Sequence, residues 1–575
     1  MDARLKILKS LIILCFLLIV FRLFLIMFVE HEVYLERAKS QQVKKEDIIP
    51  KRGNIYDRRG RELAISLEKE SLYIDPVMIK NQEAINDIFN NYLKVNYQQI
   101  VNDTNSKRFV WVKRKMDDEL VQKIKNMKLE GVGFVTEHTR YYPKGNIASH
   151  IIGFVNIDEQ GMEGLEGYYD KYLKAQKSSK IVLRDAAGKK LSDGIFPDIK
   201  GNDIFTTIDE GLQYIVEKHL DEAMAKWRAS SATVIMMDPF TGEILALANR
   251  PTYNPNDLKT IKNMDAVRNR ALTDLYEPGS TFKIVTASAA LEEGIVKTST
   301  KFDCSTGFIE VGGKKIKDVN RNGVLSFEEV IQKSSNVGTI KIALMLGKEK
   351  LYYYIKKFGF GEKTGIDLPG EVSGYIRHPN KWSGTSIGAV PIGQEVGVTA
   401  LQILRAYSAI ANGGYLVKPF VVSEIRSPDG NILFKAVIKR EKILSENTAL
   451  TMREILKKVT EEGGTARTAK IDGNNVAGKT GTAQKYDPKI KRYSKDKFVS
   501  SFVGFIPAEL PRIAMIVVIH DPVGAYYGGV VAAPVFKAIS DEALSYLNVP
   551  RDDAKEKGLI ITLNSEKSKK VGSVR

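Results

Sequence analysis

The sequence predicts an α+β protein carried by one N-terminal transmembrane helix, and three observations predict it. An apolar run of membrane-spanning length opens the chain. Beyond residue 209 a helical repeat gives way to two β-branched strands, and beyond residue 498 a second apolar hairpin is followed by a helix. Hairpins packed by helices are the pattern of an α+β domain.

At 575 residues the chain is too long for one core and suggests three to four modules. A hydrophobic fraction of 43% and a charged fraction of 27% exclude a disordered or collagen-like chain. Lys+Arg 86 against Asp+Glu 69 gives a net charge of +17, which makes nucleic acid, anionic lipid or an acidic polymer plausible neighbours without choosing among them.

Taken in order, Leu11 to Val29 is a run of 19 residues broken only by Arg22, enough to cross a ~30 Å hydrocarbon layer. Arg4, Lys6 and Lys9 precede it and Glu30 and Glu32 follow, so residues 1–10 are expected in the cytoplasm and the rest outside. A cleaved signal peptide has a shorter apolar region and a small-residue cleavage site, which Glu30-His-Glu-Val33 does not offer. Arg22 either snorkels outward or meets a polar group on a partner helix. Cys15 falls in the span and Cys304 outside it, so the exported part has no internal disulfide. With so little chain in the cytoplasm, a nucleic-acid-binding role is not expected.

Val33 to Glu46 reads as a polar helix, and residues 52–64 as short strands and tight turns. The mixed region to Pro197 carries no recognisable reaction chemistry. Leu212, Ile215, Val216, Leu220 and Ala223 recur at helical spacing, Ser231 to Asp238 and Ile244 to Ala248 read as strands, and a new domain opens near Thr206. Phe498 to Ile506 and Ile513 to Ile519 form a hairpin and Ala533 to Leu547 a helix. Residues 551–575 hold 11 charged side chains and no aromatic, as a solvated tail does. No internal repeat is evident.

Two familiar patterns mislead. Gly473 to Thr480 fits the phosphate-loop spacing, but no buried strand precedes it and Gly481 to Pro488 cannot open a helix. Asp318 to Glu329 fits a calcium loop with oxygen ligands at positions 1, 3, 5 and 12, yet the entering helix is missing; an Asp/Asn/Gly turn explains it as well, with Ser326 capping Phe327 to Lys333. The six histidines are scattered and no cysteines pair, so no metal site and no cofactor are expected.

A third pattern carries chemistry. Ser280-Thr-Phe-Lys283 puts a hydroxyl and an amine on one face, and a Lys whose pKa falls toward 7–8 can take a Ser proton. Alone it is weak, since Ser66-Leu-Glu-Lys69 and Ser494-Lys-Asp-Lys497 share the spacing. Ser334-Ser-Asn336 follows 54 residues on, and Lys479-Thr-Gly-Thr482 a further 145. Ser-x-x-Lys, Ser-x-Asn and Lys-Thr-Gly in this order are the serine acyltransferase set. Ser445-Glu-Asn447 and Lys363-Thr-Gly365 are decoys; the later Lys-Thr-Gly is preferred because it leads toward the Phe498 hairpin.

On Tyr276-Glu-Pro-Gly-Ser280-Thr-Phe-Lys283 and Lys479-Thr-Gly-Thr-Ala-Gln484, with Arg52-Gly, Asp57-Arg, Gly60 and Gly161-Met-Glu-Gly-Leu-Glu166 in support, the chain resembles a class B penicillin-binding protein from the anchor to about residue 548. The resemblance implies a non-catalytic pedestal (33–200) and a transpeptidase domain (205–548) with a five-stranded antiparallel sheet flanked by helices. It implies Ser280 as nucleophile and Lys283 as base. Ser334 and Asn336 would relay a proton and orient Lys283 and the substrate, and Lys479 would lower the Lys283 pKa by repulsion. Thr480, Gly481 and Thr482 would bind substrate, with an oxyanion hole of the Ser280 and Thr482 N–H groups. Implied partners are peptidoglycan stem peptides as D-Ala-D-Ala donor and amine acceptor, β-lactams, membrane lipid, a polytopic glycan polymerase and other division proteins. Asn249-Arg-Pro-Thr-Tyr-Asn-Pro255 and Asn269-Arg-Ala-Leu-Thr-Asp274 resemble the septal branch; elongation and sporulation types are the alternatives. A β-lactamase, an antibiotic sensor and a scaffold share parts of the pattern. The span with only ten residues before it leaves no room for a signalling module.

Overall fold

With no Pro or Gly to interrupt it, Asp2–Phe24 is an α-helix, continued by a wider turn over Leu25–Val29. The most apolar 18-residue window of Asp2–Val29 has a mean hydropathy of 3.1, and none of that window is buried by protein. Apolar side chains that no protein covers call for lipid, and 28 residues span about 42 Å. Arg22 reaches along its own chain, donating to Glu30 at 2.9 Å and to the Tyr34 hydroxyl at 3.5 Å. The computed structural model describes residues 2–48, 50–94, 109–175, 178–184, 190–192, 199–261, 263–487 and 492–550, so the expected tail 551–575 lies outside the described residues.

The helix expected over 33–46 is shorter. It covers His31–Gln42, and Val43–Ile48 turns into a strand antiparallel to Ser178–Arg184, with Val43 opposite Leu183. A partner strand far along the chain outweighs the local helix preference of a Lys- and Glu-rich stretch.

Contacts divide the chain into two units: Met1–Arg52, Glu68–His138 and Lys174–Gly201 form one, and Gly53–Leu67, Thr139–Leu173 and Asn202–Arg575 the other. In the smaller unit, Leu72, Ile74, Ile85, Phe89, Val110, Val121 and Ile124 make the core. Buried Glu137 is held there by Arg114 and by the Ser71 hydroxyl. Arg114 and Ser71 keep its carboxyl below the usual range against the cost of burial.

The larger unit is built on a five-stranded antiparallel sheet of β1 (Ser231–Met237), β2 (Ile244–Arg250), β3 (Ala477–Asp487), β4 (Arg492–Ile506) and β5 (Ile513–His520), in the spatial order β2-β1-β5-β4-β3. Its helices include α1 (Glu210–Trp227), α2 (Lys283–Glu292), α3 (Asn336–Leu346), α4 (Ala400–Ala411), α5 (Glu446–Lys458) and α6 (Ala533–Tyr546). Successive residues of a strand face opposite sides. Ile513, Met515, Val517 and Ile519 pack with Leu212, Val216 and Leu220 of α1 and Phe536 and Ile539 of α6. Ala514, Ile516 and Val518 join Ile284 of α2 and Leu404 of α4 on the other side. Burial on both faces is why β1, β2 and β5 read as continuous apolar runs.

Asp209 caps α1 by accepting the Gly211 and Leu212 N–H groups, and Asp57 folds its own turn by accepting from Arg59 and Arg61 N–H. Arg140 and Glu166, the latter from the Gly161–Glu166 motif, meet at 2.5 Å with both side chains buried, and Arg140 also donates to Gly53 O at 2.7 Å. Gly161 is required here, because a Cβ would stand 1.8 Å from Glu166 O.

Candidate active site

Gly279–Phe282 forms one 3-10 turn that runs directly into α2. Side chains three apart eclipse in such a turn, so Ser280 and Lys283 emerge on one side. The turn is held at several points. Gly279 adopts φ 56° and donates to Gly393 O at 3.1 Å; Thr281 Oγ1 donates to Pro278 O at 2.8 Å; the buried Tyr407 hydroxyl on α4 donates to Thr281 O at 2.9 Å.

Lys283 Nζ donates to Ser334 O at 2.7 Å, to Asn336 Oδ1 at 2.8 Å and to Ser334 Oγ at 3.3 Å. Lys479 Nζ donates to the same Ser334 Oγ at 2.8 Å. The structure therefore brings Lys283 and Lys479 to the Ser334 hydroxyl, and Asn336 to Lys283, beside the turn that carries Ser280. Ser334 sits there in a left-handed conformation with φ 59°. A neutral amine has two N–H bonds, which Ser334 O and Asn336 Oδ1 can accept, leaving its lone pair for a proton. Asn336 is fixed from its other end by Nδ2 donating to Lys317 O at 2.9 Å.

Burial brings the Lys283 pKa down to about 7, opposed by the charge of Asp318. Lys479 is also pushed down, first by burial and then by Lys283. Both side chains are fully buried, so removal from water is the leading cause for each, with the mutual repulsion of the two ammonium groups beside it.

Lys479, Thr480, Gly481 and Thr482 lie on β3, the edge strand, with Gly481 opposite Ser501. A Cβ at Gly481 would stand 2.4 Å from Ser501 Oγ and 2.9 Å from Pro278 O, so only glycine lets the strand lie against the nucleophile turn. Thr482 Oγ1 accepts from Gly528 N–H at 3.0 Å, leaving its own proton to donate. Thr480 Oγ1 pairs with Thr465 Oγ1 at 2.9 Å. The phosphate-loop look-alike thus continues as a strand.

The decoys have structural work. Ser445 caps α5, Thr364 and Gly365 bond Glu371, and Ser66 lies by Arg140. In the calcium-like loop, Glu329 closes a capping box with Ser326 and Asp318 binds Ser335 Oγ and the Asn336 and Val337 N–H groups.

The profile of the penicillin-binding protein transpeptidase domain matches residues 232–541, and that of the penicillin-binding protein dimerisation domain residues 47–206. The chain belongs to the penicillin-binding protein family. Among its relatives, stage V sporulation protein D of Bacillus subtilis is 36% identical over 95% of this chain and 86% of that protein. Peptidoglycan D,D-transpeptidase FtsI of Escherichia coli is 34% identical over 91% of this chain and 88% of that protein. Penicillin binding protein 3 of Mycobacterium tuberculosis, solved with aztreonam, superposes with a TM-score of 0.70 at 28% identity, covering 88% of this chain and 98% of that one.

Next to the penicillin-binding protein motifs, a cleft of about 1140 Å³ opens, lined by Tyr276, Glu277, Arg377, Ala483, Gln484 and Tyr493 among others. Glu277 accepts Glu395 N–H at 2.9 Å and the Tyr493 hydroxyl at 3.1 Å, and burial raises its pKa. Glu277, Asp318, Tyr407 and Thr465 were missed as site residues. Asp318 had a signal, the calcium-loop spacing, and Glu277 lies inside the Tyr276-to-Lys283 motif; Tyr407 and Thr465 have none short of the fold.

Proposed function

We propose that this chain is a membrane-anchored peptidoglycan D,D-transpeptidase. The observation that carries the reading is the convergence of Lys283, Ser334, Asn336 and Lys479 beside Ser280. Ser280 Oγ bonds to the carbonyl carbon between the two terminal D-alanines of a stem peptide, and its proton passes to neutral Lys283. The oxyanion is held by the Ser280 and Thr482 N–H groups; losing one such donor costs about 2.7–4 kcal/mol. The C–N bond breaks as Ser334, linked to both lysines, delivers a proton to the departing D-alanine amine. An amine on a neighbouring stem attacks the ester, its proton returns along the same route, and a 4→3 cross-link leaves Ser280 free. A substrate carboxylate beside Lys479 favours the charged ammonium, and Thr480 and Thr482 hydrogen-bond it. β-Lactams enter as mimics of the same carbonyl.

The same reading covers the rest of the chain. Residues 33–200 form the pedestal and 205–548 the catalytic domain, supported by the two family matches at 47–206 and 232–541. Basic residues before the span and acidic ones after it support a cytoplasmic N-terminus and an extracytoplasmic catalytic domain. A polytopic glycan polymerase binding the span and pedestal rests on the resemblance; co-purification that survives deletion of residues 1–200 would count against it. A septal role is supported by the FtsI relatives. A sporulation role is the second reading, because the sporulation protein is 36% identical across almost the whole chain.

The test is fluorescent-penicillin labelling of the detergent-solubilised full chain beside Ser280→Ala, followed by an unlabelled chase. Label on the parent only, persisting through the chase, supports the transpeptidase. Rapid loss would make it a β-lactamase, and no label would leave a scaffold.

A further inference from the structure

Asp318 opens the segment whose spacing imitates a calcium loop, yet its carboxylate is taken up by its own loop, by the second motif and by the start of α3. One oxygen accepts Ser335 Oγ–H at 2.7 Å and Asn322 Nδ2–H at 3.1 Å, and the other accepts the N–H of Asn336 at 2.5 Å and of Val337 at 3.0 Å. Those amides are the first of α3, whose orphan donors need an acceptor. Ser335, so anchored, caps α3 by accepting Gly338 N–H at 3.0 Å. Ser334 O and Asn336 Oδ1, the two acceptors for Lys283 Nζ, therefore stand on either side of a residue that Asp318 pins.

We infer that Asp318 is a positioning residue for the acylation step: by binding Ser335, Asn336 and Val337 it fixes the acceptors that aim the Lys283 amine, and its charge sets the pH at which that amine is free to take the Ser280 proton. The charged or titratable groups around Lys283 are Lys479 on β3 and Asp318 itself; Cys304 faces Asp318, and Lys341 and Asp303 face Cys304 in turn. Asp318 is the anion that raises Lys283 against its burial. Removing that charge moves the proton off Lys283 more easily, so the acidic limb of the rate profile shifts downward.

The inference rests on acylation of Ser280, and one experiment separates the two. Acylation rates of the full-length chain with fluorescent penicillin are measured from pH 5 to 9 for the parent, Ser280→Ala, Asp318→Asn, Asp318→Glu and Asp318→Ala, with thermal midpoints alongside. Parent label that persists in Ser280→Ala, or is absent from the parent, sinks the acylation reading itself. If the parent labels as expected, Asp318→Asn, which keeps an acceptor but no charge, moves the acidic limb down by about 1 pH unit. Asp318→Glu keeps the limb in place with a lower plateau, and Asp318→Ala, which leaves the α3 amides without their acceptor, lowers the plateau about 10- to 100-fold. An unshifted limb in Asp318→Asn, or a uniform loss that follows the thermal midpoint, overturns the positioning role. Should Asp318→Asn fail to fold, Asp318→Glu decides: a shifted limb in that charge-keeping variant overturns the inference.

Discussion

Gly481→Ala tests the closest approach in the site. Gly481 has no left-handed backbone to protect, so the cost is purely steric: the new Cβ would meet Ser501 Oγ at 2.4 Å, Pro278 O at 2.9 Å and Thr281 Cγ2 at 2.9 Å. Ser501 can rotate away, but Pro278 O belongs to the nucleophile turn, held by Thr281 Oγ1. Restoring ordinary contact of about 3.4 Å means moving β3 from that turn by roughly 0.5 Å or more, in a core that does not compress. The Ser280 and Thr482 N–H groups sit on the two parts that separate. Since a misplacement of about 1 Å can cost about 100-fold, the acylation rate is expected to fall about 10- to 100-fold, with overpacking costing about 1–3 kcal/mol of stability. The assay is the second-order rate of fluorescent-penicillin labelling with a denaturation midpoint on the same sample. Adding Ser501→Ala removes the shortest contact and should recover part of the rate, because Pro278 O remains. Labelling of Gly481→Ala within about threefold of the parent would refute the reasoning.

Other consequences are equally direct. With Lys283 near 7, its neutral fraction is about a tenth at pH 6 and nine-tenths at pH 8, so acylation should rise through pH 7 and level off; a tenfold rise per unit continuing to pH 9 would mean an unshifted lysine. Glu166→Ala leaves Arg140 buried without its carboxylate and should cost about 3–5 kcal/mol in urea unfolding, an outcome contradicted by an unchanged midpoint. Burial holds His150 and His520 neutral, down to about 4 from the ordinary 6.5. The unfolded chain then binds more protons between those values, so stability falls as pH drops from 6.5 toward 4, by up to about 3 kcal/mol for each histidine. A thermal midpoint that stays flat across that window would contradict this.

Local features of this protein were readable from residues alone. The membrane helix follows from hydropathy summed over one continuous stretch, α1 from apolar spacing behind an Asp cap, and β1, β2 and β5 from unbroken apolar runs. The order of three short motifs identified the chemistry because reacting groups must be of particular types. Tertiary structure decided the rest. That Val43–Ile48 leaves the helix depends on a strand at Ser178–Arg184, and that Lys479 meets Ser334 depends on β3 lying at the sheet edge. Asp318 reads from sequence as part of an Asp/Asn/Gly turn with calcium-loop spacing, and only the fold sets it against α3. That Lys283 is buried deeply enough to lose its proton near neutral pH likewise depends on the fold. Residue types record which charges are available, whereas burial and distance arise only when segments far apart in the chain pack together and exclude water.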